Sequence, residues 1–185
     1  NGALFWIDTK NQQVTIIQND NSPVYRNAGV SRSKGFEIEG RALLESNWDV
    51  DFGYGFANSR YRSFWDSVAL MDYSGNKTPY APRHTYHAGV QHRRPLYGDT
   101  WFFGRLEIKG EGGIVFDDAN SFKEGAHSTL NLRLGAEWEK WDLVFWVKNL
   151  LDETYSDHGQ VTPGSGNSSR LATPRMIGTT LTARF

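Results

Sequence analysis

Aromatic and basic side chains are concentrated in a polar stretch near the middle of the 185-residue chain. A guanidinium group and an aromatic ring face together offer charge pairing, stacking and apolar area to an anionic or aromatic ligand. A ring in a loop can equally pack that loop onto the rest of the protein, so each residue keeps a structural alternative. The predicted ligand-binding set is Arg60, Tyr61, Arg62, Trp65, Tyr73, Tyr80 and Arg83.

Two groups of possible metal ligands do not form a convincing site. His84 and His87 are three residues apart, which places them on opposite faces of a strand, where they cannot chelate one ion. Asp117, Asp118 and Asn120 could offer oxygen ligands to Ca²⁺, but the set is incomplete. Turn chemistry explains these residue types equally well. We therefore predict no metal site.

Catalytic motifs are equally weak. The Gly-Ser-Gly tract at Gly164–Gly166 lacks the strand and helix of a nucleophile elbow and is typical of a flexible loop. The chain has no cysteine, which excludes a thiolate nucleophile, a thiolate metal site and a disulfide framework. The formal net charge of -1 gives no basic excess for nucleic acid. We predict no catalytic residues, no cofactor, no nucleic-acid partner and no enzymatic function.

The elements that must position these residues show period-2 alternation, which is typical of strands. Between Trp48 and Phe56 the even positions are apolar and the odd positions are Asp or Gly, and Leu130–Trp138 shows the same separation. Eight such segments predict an all-β antiparallel fold. Six of them are Phe36–Leu44, Trp48–Phe56, Tyr86–Gln91, Phe102–Lys109, Leu130–Trp138 and Ile177–Phe185, and the other two, Ala3–Ile17 and Leu143–Val147, are apolar on both faces.

The connections between these segments alternate in length. Short turns are predicted at Ser46–Asn47, Arg94–Asp99 and Glu139–Lys140. The long polar connections are Gln18–Arg32, Tyr61–Pro82, Gly113–His127 and Asp152–Pro174. Because every second connection is long, all the long loops are expected to emerge at one end of the sheet. Long loops of this kind usually carry function.

These patterns favour a transmembrane β-barrel. Alternating strands, short turns at one end, long loops at the other and aromatic girdles form the signature of an outer-membrane barrel. Four tryptophans lie beside the short turns, where the headgroups would be: Trp48, Trp101, Trp138 and Trp141. The longest apolar run, Leu143–Val147, is too short for a transmembrane helix. A soluble antiparallel sandwich with its apolar face inside is the alternative, because alternation alone does not say which face is wet.

Four stretches resemble the C-terminal part of TonB-dependent outer-membrane receptors. They are "SKGFEIEG" at Ser33–Gly40, "NKTPYAPRHTYHAGV" at Asn76–Val90, "WVKNLLDETY" at Trp146–Tyr155 and "MIGTTLTARF" at Met176–Phe185. Each stretch is degenerate alone, but their order and spacing are specific. The resemblance implies a 22-stranded barrel filled by a plug, of which residues 1–185 would hold the last eight strands.

The resemblance also implies function and partners. It implies TonB-dependent uptake of a scarce nutrient, most often a ferric siderophore, across the outer membrane of a Gram-negative bacterium. The implied partners are that ligand, TonB acting through the plug, and outer-membrane lipid. The plug and the TonB box have no counterpart in these residues, so this segment would supply barrel wall and external loops.

The last strand resembles the signal read by the barrel-assembly machinery, because an edge strand is a template for pairing. Its predicted residues are Ile177, Thr179, Leu181, Ala183 and Phe185. An ordinary closing strand is the alternative. A second function stays open as well: eight strands suffice to close a small barrel with a structural or adhesion role. That barrel would require Ala3–Ile17 to pair with Met176–Phe185.

Overall fold

The computed structural model describes residues 1–18, 20, 22–162 and 164–185, and these residues are built almost entirely from strands. Eight long strands form one sheet and three short hairpins lie between them. The long strands are β1 (Gly2–Ile17), β2 (Pro23–Leu44), β3 (Trp48–Ser63), β6 (His84–Tyr97), β7 (Thr100–Glu111), β10 (His127–Glu137), β11 (Trp141–Lys148) and β14 (Met176–Ala183). The hairpin strands are β4 (Trp65–Asp66), β5 (Met71–Asp72), β8 (Ile114–Val115), β9 (Lys123–Glu124), β12 (Ser156–Thr162) and β13 (Gly166–Leu171).

The eight long strands form an antiparallel up-and-down sheet, which confirms the predicted strand count and fold class. The order is β1-β2-β3-β6-β7-β10-β11-β14, so β1 and β14 are the two edges. Within the described residues β1 pairs with β2 and β14 pairs with β11, but the edges do not pair with each other. The pairing required for a self-closed eight-stranded barrel is therefore not formed.

One face of the sheet is apolar and uncovered. Phe52 on β3 pairs with Ala88 on β6, and Leu132 on β10 pairs with Leu106 on β7. Phe52 remains 47% exposed, and the two strands β6 and β7 separate it from Leu132. The sandwich alternative requires these side chains to pack together in a dry centre, and they do not. Their exposure fits a sheet whose apolar face lies against lipid.

The short turns lie together at one end of the sheet, and one of them is the 3-10 turn at Glu45–Asn47. Trp48 stacks on His92 across the outward face, with ring centroids 4.4 Å apart. Trp101 was predicted in the same girdle, but its ring lies under the Arg93 guanidinium at 4.6 Å, on the inner face. Trp101 is an odd-numbered residue of β7, and the outward residues of that strand are even-numbered. Strand alternation therefore overrides proximity to the turn.

The long connections contain more structure than the polar sequence indicates. The predicted loop Gln18–Arg32 is wrong over most of its length, because β2 begins at Pro23 and pairs with β1 from there to Ile38. The other three connections carry the hairpins β4–β5, β8–β9 and β12–β13. Asn19, Asn21 and Pro163 lie outside the described residues. No helix in the described ranges is both long and apolar enough to cross a membrane.

Candidate functional site

The long-loop end of the molecule forms a layer that we call the cap: the ends of β1, β2 and β3 with residues 64–83, 112–126 and 149–175. The described chain has eight buried apolar side chains, and six of them lie here: Val14, Tyr61, Phe64, Ile114, Val115 and Phe116. Two more, Phe103 and Val147, lie in the sheet. The cap is therefore the part of the chain with a hydrophobic core.

The first half of this core is an aromatic cluster around Phe64. The Phe64 ring meets Tyr61 edge-on at 4.8 Å and Tyr73 at 5.5 Å between centroids. Val14 and Ile16 of β1 close the cluster from the side. Edge-to-face aromatic pairs of this kind stabilise a fold beyond the area that they bury. Tyr61 and Tyr73 therefore hold the β4–β5 hairpin onto the sheet.

A left-handed residue in β1 allows Val14 to reach this cluster. Before it, Asp8 forms an ion pair with Arg32 of β2 at 2.6 Å. After it, Gln12 accepts a hydrogen bond from the Ser31 hydroxyl at 2.5 Å, and Ser31 lies on the other face of β2 from Arg32. Asn11 lies between them with φ of 54°, a conformation that Asn tolerates better than most residues. After Asn11, the even-numbered side chains of β1 therefore face inward, whereas before it they face outward.

The second half of the core joins three connections through Tyr80. Its ring packs on Phe116 at 5.6 Å, and Phe116 packs on Phe122 at 5.0 Å. The Tyr80 hydroxyl donates to the Gly159 carbonyl of β12 at 2.6 Å. The β12–β13 hairpin is thereby fixed to the two preceding connections.

Asp118 and Asn120 act as joints between connections, and Asp117 braces its own loop. The Tyr61 hydroxyl donates to Asp118 Oδ1 at 2.6 Å. Asn120 accepts from the Lys77 amide at 2.9 Å and donates to the Lys77 carbonyl at 3.0 Å. Asp117 accepts from the Ser121 hydroxyl at 2.7 Å and from the Phe122 amide at 2.9 Å. These bonds are loop contacts of the kind that the turn-chemistry alternative implies, and the described residues hold no cluster of three or more His, Asp or Glu suited to a metal. The absence of a metal site stays a prediction.

Burial shifts the pKa values of Asp118 and Tyr61, which are hydrogen-bonded to each other. Desolvation raises the pKa of the Asp118 carboxyl above its usual range, and the hydrogen bond from Tyr61 opposes this only in part. Desolvation, then the bond to Asp118, raises the pKa of the Tyr61 phenol far above its usual value. Tyr61 therefore stays protonated and remains a donor to Asp118 at physiological pH.

A cavity of about 620 Å³ opens beside this core. Its aromatic lining includes Tyr61, Tyr73 and Tyr80, so the structure brings together three of the seven predicted ligand residues. Its charged lining consists of Asp66, Asp117 and Asp118, with His158 nearby, and no Lys or Arg is among the described residues that line it. The cavity is aromatic and acidic, whereas the sequence predicted an aromatic and basic site.

The other predicted residues lie elsewhere in the cap. Trp65 is 62% exposed and Arg62 is also exposed, so both are accessible from outside. Arg60 donates to the Gly75 carbonyl at 2.6 Å and thereby braces the loop. Arg83 is half-buried. Tyr61 is 1% exposed and Tyr80 is 45% exposed. The role of all seven in ligand binding stays a prediction.

The inner wall of the sheet is lined by ion pairs that cross between strands. Arg41 forms a bidentate bridge to Asp49 at 2.9 and 2.6 Å. Arg105 lies 2.7 Å from Asp51, and Arg93 lies 2.6 Å from Glu137. Arg184 pairs with Asp142 in the same way. This charged face is the one opposite the apolar side chains, as strand alternation requires.

A second cavity, of about 750 Å³, lies on this inner wall. Its lining includes Lys109, Arg133, Lys148, Trp146 and Tyr155. Strand alternation puts these three cations on the face opposite the apolar one, but alternation alone does not bring them into one site. The site could have been predicted only from the pairing register of β7, β10 and β11, which brings the three cations together.

The last strand presents its alternate side chains outward. Ile177, Thr179, Leu181 and Ala183 pair with Val147, Phe145, Leu143 and Trp141 of β11, so they share the apolar face. Ile177, Leu181 and the terminal Phe185 are exposed. Among the described residues β14 pairs only with β11, so it is an edge of the sheet. Recognition of β14 by the barrel-assembly machinery stays a prediction.

Comparison with known proteins identifies this architecture. The family model "TonB dependent receptor-like, beta-barrel" matches residues 1–150. The ferric yersiniabactin uptake receptor FyuA from Yersinia pestis is similar over 100% of this chain and 27% of its own, with a TM-score of 0.84 and 24% identity. The siderophore receptor PiuA from Acinetobacter baumannii matches 97% of this chain and 24% of its own, with a TM-score of 0.72 and 18% identity.

The copper transporter OprC is also similar, over 100% of this chain and 28% of its own, with a TM-score of 0.70 and 17% identity. The chain thus spans about a quarter of the length of these receptors. Proteins of this family lie in the outer membrane of Gram-negative bacteria and are receptors and transporters. The chain belongs to the TonB-dependent receptor family and forms part of its transmembrane β-barrel.

Proposed function

We propose that the chain forms wall and cap of a receptor that imports a scarce nutrient, a ferric siderophore complex, by TonB-dependent transport. The supporting observation is the combination of an open sheet, apolar outside and charged inside, with the family match over residues 1–150. One of the similar structures is described as a siderophore receptor and another as a ferric yersiniabactin uptake receptor. TonB would act through a plug outside these residues, and the outer-membrane lipid would contact the apolar face.

Within this function, the exposed Trp65 and Arg62 would make the first contact with an incoming complex. The acidic cavity that Tyr73 and Tyr80 line would receive a neutral or cationic part of it, because its carboxylates repel an anion. Conversely, the anionic groups of a siderophore would be met by guanidinium groups outside that cavity.

Uptake of radioactive iron chelates by cells that carry the full-length protein tests this function. Accumulation should occur for at least one chelate and should fall to background in cells without TonB. Substitution Trp65→Ala should lower binding to intact cells, while the control Tyr25→Ala, at another exposed ring of the same end, should not. Absence of binding and accumulation across chemically different chelates would contradict a ferric siderophore as cargo.

The barrel-assembly machinery would read β14 during insertion. Deletion of Phe185 in the full-length receptor should lower the amount of folded protein in the outer membrane. Deletion of an exposed residue from the β12–β13 turn, such as Ser165, is the control, because it leaves β14 unchanged. Equal amounts of both deletion variants would contradict the signal.

A further inference from the structure

Three cations of the inner wall lack the partners that their neighbours have. Arg41, Arg93, Arg105 and Arg184 each form an ion pair with a carboxylate of another strand. Across the part of the chain that the structure describes, Lys109 of β7, Arg133 of β10 and Lys148 of β11 have no carboxylate within ion-pairing distance. Arg133 lies 5.9 Å from the Phe103 ring and Lys148 lies 5.4 Å from the Trp146 ring.

The strand register brings these three cations to one place. Lys109 is directly opposite Thr129, and Arg133 is directly opposite Trp146. Lys148 follows Val147, the partner of Leu132, so it lies between the other two along β10. All three line the same cavity of about 750 Å³.

The remaining charges of this cavity do not balance them. Arg105 pairs with Asp51 at 2.7 Å and with Glu107 at 3.1 Å. Asp157 pairs with Arg170 of β13 at 2.8 Å. The cavity therefore keeps three positive charges on three adjacent strands, an arrangement that like-charge repulsion disfavours.

An unsatisfied hydroxyl lies in the same lining. Thr129 Oγ1 is buried and has no hydrogen-bond partner among the described residues. Most buried polar atoms have a partner, and one without it calls for an explanation. A bound anion would supply both the missing charge and an acceptor near this hydroxyl, after a small shift of the side chains that cover it.

We propose that this cavity of the inner wall binds a carboxylate or phosphate group. The Arg133 guanidinium supplies a planar fork that matches either group, and the two ammonium groups add point charges. The Trp146 and Tyr155 rings line the same cavity beside them. The anion would be either a free small molecule or an acidic side chain from elsewhere in the full-length receptor. This inference depends on the inner face of the sheet and not on the identity of the cargo.

The test uses the full-length receptor in detergent, with inorganic phosphate and succinate as probes in calorimetric titrations. Each of the substitutions Lys109→Gln, Arg133→Gln and Lys148→Gln should weaken binding about tenfold, which corresponds to one lost charge-assisted hydrogen bond. Lys123→Gln removes the same charge from the β8–β9 hairpin and should leave binding unchanged.

A second arm distinguishes the source of the anion and uses the unmodified protein. Carbodiimide treatment joins an ammonium group to a carboxylate in contact with it, and mass spectrometry locates the amide. A crosslink from Lys109 or Lys148 to a carboxylate elsewhere in the receptor supports an internal acidic side chain, and probe binding without a crosslink supports a free anion. Absence of both would overturn the proposal.

Discussion

The cap and the membrane-spanning sheet are stabilised in opposite ways. The cap buries Tyr61, Phe64 and Phe116 inside protein, whereas the sheet leaves Phe52 and Leu181 uncovered on its apolar face. The polar groups are also divided differently: the cap joins loops through single buried hydrogen bonds, and the sheet lines its wet face with ion pairs. The sheet therefore needs lipid as the solvent for its apolar side, while the cap carries a core of its own.

The largest effect is expected at the centre of the cap. Phe64→Ala should lower the free energy of opening of the cap by about 3–5 kcal/mol, the usual cost of emptying an aromatic site. Hydrogen exchange of the full-length receptor should show faster exchange in residues 58–79 and unchanged exchange in β10 and β11.

The neighbouring Trp65→Ala is the matched control, because the Trp65 ring is largely exposed. Equal acceleration by both substitutions, or acceleration that spreads to β10 and β11, would break the distinction between the cap and the sheet.

The next largest effect is expected on the apolar face of the sheet. Leu132→Arg should destabilise the receptor in lipid by about 2–4 kcal/mol, because it places a charge against hydrocarbon near the middle of the membrane. Reversible urea unfolding in vesicles measures this loss.

Gln91→Arg is the control for Leu132→Arg. It lies beside Val90, which shares the depth of Leu106 and Leu132, but it points to the wet face beside Asp49. A loss at Gln91→Arg as large as that at Leu132→Arg would mean that the faces are wrongly assigned.

A smaller effect is expected at the polar joint of the cap. Tyr61→Phe removes the donor to Asp118 and should cost about 1–3 kcal/mol in the opening of the cap, because the buried carboxylate loses its partner. Tyr25→Phe, at an exposed ring, should change nothing measurable. Hydrogen exchange of residues 114–122 measures the difference. No change there would show that water replaces the phenol.

The pH dependence of the cap is expected to be the smallest of these effects. Because burial raises the pKa of Asp118 in the folded cap, protonation relieves the penalty of burying its charge. This contribution is fully present below the unfolded pKa of an Asp and is lost as pH rises through the folded pKa. The opening free energy of the cap relative to Asp118→Asn should therefore rise as pH falls from neutrality towards 4, and a parallel course for both proteins would contradict it.

Period-2 alternation was sufficient to predict the sheet, because a strand with one face in lipid must alternate. Trp48–Phe56 and Leu130–Trp138 are the segments where it is most complete, and both are strands of the sheet. Alternation cannot show where the side chains of a strand change face, as those of β1 do at Asn11. A single left-handed residue does not change the pattern of hydrophobic residues in the sequence.

The site was predicted less well than the sheet, for a physical reason. Aromatic loop residues such as Tyr61 and Trp65 have similar sequence surroundings, but one is the most buried tyrosine of the cap and the other is exposed. Their positions depend on contacts between connections that are far apart in sequence, such as Tyr61 with Asp118. The basic cavity was missed because its residues belong to three strands that only the register aligns.

The two faces of the sheet place Phe52 and Leu132 against lipid and Gln91 in water. Nitroxide labels at Phe52→Cys, Leu132→Cys and Gln91→Cys of the full-length receptor in vesicles test it by collision with oxygen and with a water-soluble nickel chelate. Frequent oxygen and rare nickel collisions are expected at positions 52 and 132, and frequent nickel collisions at position 91. Labels at 52 and 132 that meet neither reagent, or that meet nickel more often than the label at 91, would contradict it.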